Sequence, residues 1–111
     1  MAITTTQSSH HVHNTAIGRY KDTGTAAAFT ITTGFLPRYV KIMNVDGICM
    51  EEWFEGMADA SAVKTVDSGT GTTDIIKITS NGITVSSSGF TVGLDTDLNV
   101  SGEQLSWIAM G

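Results

Sequence analysis

"RYVKIMNVDGICMEEWF", residues 38–54, decides the fold class. Val40 and Ile42 alternate with Tyr39, Lys41 and Met43, a period of two that suits a strand with one buried face. Asp46-Gly47 is a hairpin signal, because both residues tolerate positive φ. ICMEEWF then returns as the second strand. Within it Trp53 and Phe54 are adjacent, and adjacent side chains of a regular strand point to opposite faces. Either a bulge intervenes there or one aromatic lies on the surface, where it marks a contact site. Met43, Met50, Met57 and Met110 add adaptable apolar area.

The same alternation extends in both directions from this hairpin. In AAAFTITTGF, residues 26–35, Phe29 and Ile31 oppose Thr30 and Thr32. Gly34 and Pro37 bracket a bend, since Pro37 has no N–H to give to a ladder. EGMADASA, residues 55–62, is too short for a stable helix and carries Gly56, so it reads as a loop or a single turn. SGTGTT, residues 68–73, is a polar loop. DIIKITS, residues 74–80, is a strand with Ile76 and Ile78 on one face. Asn81-Gly82 reads as another hairpin turn, leading into ITVS. SSSGFTVG supplies a turn and a further strand, LDTDLNVSGE is turn-rich, and QLSWIAM ends the chain as a strand.

Seven or eight short strands with turns every 8 to 12 residues predict an all-β chain, an antiparallel sandwich or barrel, with a jelly-roll-like β-sandwich the expected form. Abundant Thr and Val favour strands, and Gly and Ser punctuate them. The chain has 111 residues, one domain's worth, whose core is modest at this size. Residues 1–14 lack a periodic apolar face and read as a flexible N-terminal arm, orderable against a partner, with the β-domain spanning 15–111. The arm has neither a basic n-region nor an apolar h-region, so no signal peptide is expected. The net charge of −5 and only 15% charged residues argue against a nucleic-acid partner. No apolar run is long enough to span a membrane, and none is expected as a partner.

Candidate chemistry is sparse. Asp22-Thr23-Gly24 and Asp67-Ser68-Gly69 match the triplets of aspartic proteases, and one such subunit is about this long. That mechanism needs two carboxylates sharing a proton. Its triplet follows an apolar strand, whereas Asp22 follows Arg19, Tyr20 and Lys21. Both triplets are also ordinary turn sequences. Ser61-Ala62-Val63-Lys64 matches Ser-x-x-Lys by chance, with no partner motifs. His10, His11 and His13 form HHVH, but no Cys or carboxylate nearby completes a metal set, and the role of a polar arm residue or an intersubunit contact suits them better. Glu51 and Glu52 alternate to opposite faces, so they do not form a glycosidase pair. Asp46, Asp59, Asp67, Asp95 and Asp97 all sit in turn contexts. Cys49, the single cysteine, reads as a buried structural thiol in a chain made in a reducing compartment. No catalytic residue, cofactor or metal is expected.

Three stretches carry a resemblance: GFLPRYVKIMN at 34–44, SNGITVSSSGFTVG at 80–93 and QLSWIAMG at 104–111. They are similar to small β-rich virion proteins of tailed bacteriophages. The matching positions are Gly34, Phe35, Pro37, Val40, Ile42 and Asn44; Trp53, Phe54, Gly56 and Met57; Gly89, Phe90, Thr91 and Val92; and Trp107, Ala109 and Gly111. The resemblance covers about 34–111. It implies a non-enzymatic capsid decoration, or cement, protein on the virion surface, synthesised in the host cytoplasm. Its partners would be the major capsid protein and itself, as a homotrimer. His10, His11, His13, Trp53, Phe54 and Met57 are the expected interface residues. The alternative is a tail-fibre or baseplate receptor-binding module, and the remote alternative is the dimeric aspartic protease.

Overall fold

The structure, a computed structural model, describes residues 14–69 and 71–111. Residues 1–13 of the expected arm, its three histidines among them, lie outside the described residues. The fold is all-β and antiparallel. Its strands are β1 (Thr15–Lys21), β2 (Phe29–Thr32), β3 (Tyr39–Asn44), β4 (Cys49–Phe54), β5 (Ser61–Gly69), β6 (Thr72–Ser86), β7 (Gly89–Val92) and β8 (Gln104–Met110). They form one eight-stranded sheet in the order β1-β8-β3-β4-β5-β6-β7-β2.

The all-β antiparallel class is as expected, and hydrogen bonding joins all eight strands into a single curled sheet. Its two edge strands, β1 and β2, are consecutive in sequence and meet through side chains. The Tyr20 and Phe29 rings stack with centroids 3.7 Å apart. The curl brings one face of every strand onto a common core. Val40, Ile42, Ile83, Phe90, Val92, Leu98 and Ala109 are fully buried there, with Trp53 and Leu105 nearly so. Burial of such side chains is the main favourable contribution to folding, at roughly 1.5–3 kcal/mol each.

Three local readings change. Asn81-Gly82 does not reverse the chain: β6 runs through it as one fifteen-residue strand with a corner. Asn81 takes φ 59°, a left-handed conformation that Asn tolerates. Gly82 lets the corner press onto β5, since a Cβ there would lie 2.5 Å from the Ser61 carbonyl oxygen. The first arm of β6 pairs with β5, and the second pairs with β7. Asp67-Ser68-Gly69 is not a free turn but the irregular end of β5. The β3–β4 turn is where expected, yet Gly47 does not have positive φ. The Asp46 N–H instead donates to Asn44 Oδ1 at 2.9 Å, an Asx-type closure. Asp22-Thr23-Gly24 is a turn as read, with the Gly24 N–H donating to Asp22 Oδ1 at 2.8 Å.

The segment between β7 and β8, residues 93–103, closes one end of the curled sheet. Leu98 enters the core completely. Two buried asparagines fasten the segment. Asn44 Nδ2 donates to the Leu98 carbonyl at 3.0 Å and to Glu103 Oε1 at 2.9 Å. Asn99 Nδ2 donates to the Ala27 carbonyl at 2.8 Å. Gly102 N–H donates to the Asp22 carbonyl at 2.6 Å, tying the β1–β2 connection to the same plug.

Candidate functional site

The pleat sorts β3 and β4 without any bulge. Their register is unbroken from Tyr39↔Phe54 to Met43↔Met50. Trp53 accordingly faces the core at 4% exposure, where its indole N–H donates to the Ala58 carbonyl at 3.2 Å. Phe54 faces outward and is half exposed. Met57 folds back against the core, and its sulfur accepts the Phe54 N–H at 3.2 Å. Of the expected interface residues that are described, Phe54 is thus the one presented to solvent.

Phe54 is not alone on that surface. Register across β8, β3, β4 and β5 sets the outward side chains in rows. One row runs Met110, Tyr39, Phe54; the next Ile108, Lys41, Glu52, Val63; the third Ser106, Met43, Met50, Thr65. Val45 and Ile48 flank the hairpin turn below them and are exposed, as are Met43, Met110 and, on β1, Ile17. An antiparallel sheet with one solvated face ordinarily alternates apolar-in and polar-out. Here the outward face is largely apolar as well, and a contiguous apolar surface on a small domain marks an interaction site. Tyr39 adds a polar contact, its hydroxyl donating to Glu52 Oε2 at 2.7 Å, and burial, then the hydrogen bond to that carboxylate, pushes its pKa up to about 12.

The inward face holds a second unusual group. Glu51 is fully buried, and neither carboxyl oxygen meets an N–H or O–H donor. Its neighbour is another acid, Asp95, to which it can offer a hydrogen bond only when protonated. Burial, then the negative charge of Asp95, pushes Glu51 up to about 8. Lys64, from β5, reaches Asp95 Oδ1 at 2.9 Å and Asp97 Oδ2 at 2.7 Å. Burial alone would drive both Lys64 and Asp95 toward neutrality, but hydrogen bonds outweigh it: those to Asp97 and Asp95 raise Lys64, and the one from Lys64 lowers Asp95. The group thus carries a neutral Glu51, an ionised Asp95 and a charged Lys64.

This cluster brings together three residues the sequence assigned to separate, bland roles. Asp95 read as a turn residue, Lys64 as part of a chance match, and Glu51 as one half of a pair that could not cooperate. Alternation was the available signal for two of them. Ala62, Lys64 and Val66 share an inward parity on β5, as do Cys49, Glu51 and Trp53 on β4. A charged residue at an inward parity needs a buried partner. Which acid supplies it depends on the plug segment, and no local pattern gives that.

Lys64 and Asp95 also border an open polar cleft of about 410 Å³, completed by Lys77, Asn81 and Thr96. Asp22 and Asp67 are not brought together within the chain, since β8, β3 and β4 separate the ends of their strands. Cys49 is buried, and its thiol is pushed up to about 12 by burial and by Glu51. Among the described residues no group of His, Cys, Asp and Glu side chains is arranged to hold a metal ion. Comparison with protein-family models, curated proteins and solved structures finds no match.

Proposed function

We propose that this chain is a structural protein of a tailed-bacteriophage virion, a decoration protein that seats on the head shell and performs no reaction. The observation that carries the reading is the apolar outward face of β8, β3 and β4. A curled sheet already has its core on the inside, so a second apolar face is surplus to folding and fits assembly. Burying such a face between subunits stabilises a shell by mass action.

The positions that resemble the phage family support the reading through their structural roles. Val40, Ile42, Phe90, Val92 and Ala109 are core, Asn44 fastens the plug, and Gly111 lies against the Phe35 ring. They are a scaffold signature rather than a catalytic one. The major capsid protein is the expected partner.

The open cleft beside Lys77 and Asn81 favours a second reading, a tail-fibre or baseplate module that holds a polar ligand such as a glycan. Its volume is adequate for a small ligand. No aromatic side chain lines it as a platform for a sugar, which ranks this reading second. Quantitative mass spectrometry of purified particles separates the two. A copy number comparable with that of the capsid protein is expected; a few tens of copies favour the tail, and absence from the particle overturns both.

A further inference from the structure

Residues 94–97, the first part of the plug segment, form a short strap against the inward face of β4 and β5. Its two ends are anchored. The Gly93 N–H donates to the Gly82 carbonyl at 2.9 Å, and Leu98 is buried with its carbonyl held by Asn44. Between those anchors Leu94, Thr96 and Asp97 are exposed, and Asp95 alone is buried. Among the described residues, Lys64 is the single side chain that ties the strap to the sheet by hydrogen bonds, through Asp95 and Asp97. The other hydrogen bonds of Asp95 stay within residues 95–99.

Lys64 has a second claimant. Glu51 is its direct cross-strand partner. Such partners lie about 5 Å apart between Cβ atoms. Both carboxyl oxygens of Glu51 are buried without a donor. β4 is laddered to β3 on one side and β5 on the other, so Glu51 has no way out of the core. Asp95 does have one, because its segment belongs to no strand. The titratable groups around Glu51 are Asp95 and then Asp97 on the strap, Lys64 on β5 and Cys49 on its own strand. β3 presents the uncharged Ile42 opposite it.

We propose that residues 94–97 are a proton-operated lid on the polar cleft beside Lys64, shut while Glu51 keeps its proton and released when that proton passes to solvent and Lys64 turns to Glu51. A second buried negative charge beside Asp95 is strongly unfavourable, and one ammonium neutralises only one of the two. Pairing Lys64 with the fixed Glu51 frees the acid that sits on a loop. Asp95 then regains water as the strap lifts. The cleft, whose wall includes Leu94, Asp95 and Thr96, extends inward to the Glu51–Lys64 pair. The inference rests on neither virion reading.

Multidimensional NMR of the full isotope-labelled chain tests it, from about pH 6 to about pH 9.5, a range that brackets the folded Glu51 value of about 8. At the acid end, Overhauser contacts should join the Lys64 ε-protons to Asp95. As the Glu51 carboxyl carbon titrates, those contacts should be lost and contacts to the Glu51 γ-protons gained, with the same midpoint. The signals of Leu94–Asp97 should shift with them, while those of β3 and β8 keep their positions. Glu51→Gln should hold the closed pattern throughout. A Glu51 carboxyl that stays protonated across the range, Lys64 contacts unchanged through its titration, the same transition in Glu51→Gln, or collapse of the β3 and β8 signals together with the strap would each overturn the proposal.

Discussion

Glu51 and Lys64 are direct cross-strand partners on the inward face of β4 and β5, yet no ion pair joins them. Lys64 is drawn instead to Asp95 and Asp97 of the plug segment. Glu51 is left facing Asp95 with a proton rather than a cation between them. The plug is thus held on the sheet by one buried ion pair and by an acid that must stay neutral.

Stability should fall as pH rises from mildly acid to alkaline values. Glu51 titrates near 4.5 when unfolded and near 8 when folded. Between those values the native state holds the extra proton, so its contribution is complete below about pH 4.5 and is lost as pH climbs through about 8. The slope from this one group approaches about 1.4 kcal/mol per pH unit. Glu51→Gln keeps the shape and a donor toward Asp95 and removes the titration. Urea unfolding across this pH range should show the variant more stable than the parent at pH 8, and with a flatter profile. Parallel profiles would refute the assignment of the proton to Glu51.

On the acid side Asp95 acts in the opposite sense. Its folded pKa lies below its ordinary value, so its contribution is present above about pH 4 and lost on further acidification. The two groups together set a stability optimum in mildly acid solution, measurable in the same titration.

Removing the cation should be far worse than removing an exposed one. Lys64→Met leaves Asp95 charged and buried, a change worth about 3–5 kcal/mol. Arg38→Ala breaks an ion pair to Glu55 whose side chains are 35% and 58% exposed, where solvent screens the charges, and should shift the melting temperature far less than Lys64→Met. Comparable thermal shifts for the two variants would show that the buried cluster is not a structural clamp.

Gly18 on β1 lies directly beneath the Trp107 indole. A Cβ at residue 18 would come within 2.5 Å of Trp107 Cζ2. Trp107 also packs edge-on to Phe90 with ring centroids 5.3 Å apart, so it has little room to retreat. Gly18→Ala should destabilise the fold by about 1–3 kcal/mol and change the tryptophan fluorescence. Gly24→Ala, in the β1–β2 connection where the nearest heavy atom is 3.8 Å from a Cβ, is the control.

Cys49 should resist alkylation in the native protein at neutral pH. Its thiol is buried and pushed up to about 12, so little thiolate exists and little of it is accessible. Labelling with iodoacetamide should be slow under native conditions and fast in denaturant. Rapid native labelling would mean that β4 opens locally.

What the sequence by itself determined is the strand content and the facing of most side chains. Alternation assigned Val40 and Ile42 inward, Lys41 and Met43 outward, and required Trp53 and Phe54 to part company, because the pleat has a period of two whatever the fold. It overlooked β5 as a strand of its own, since Ser61–Gly69 mixes Lys, Thr and Asp into a pattern whose inward lysine disguises the apolar parity. It also misassigned Asn81-Gly82. The same left-handed residue that closes a hairpin can bend a continuing strand, and only the partners on either side decide which. Tertiary structure alone decided that the strands join as one curled sheet, that Tyr20 meets Phe29 across its open seam, and that Asp95 arrives opposite Glu51. Those facts depend on which strands pair at long range. Pairing is chosen by the packing of the whole core, not by the local pattern of any segment.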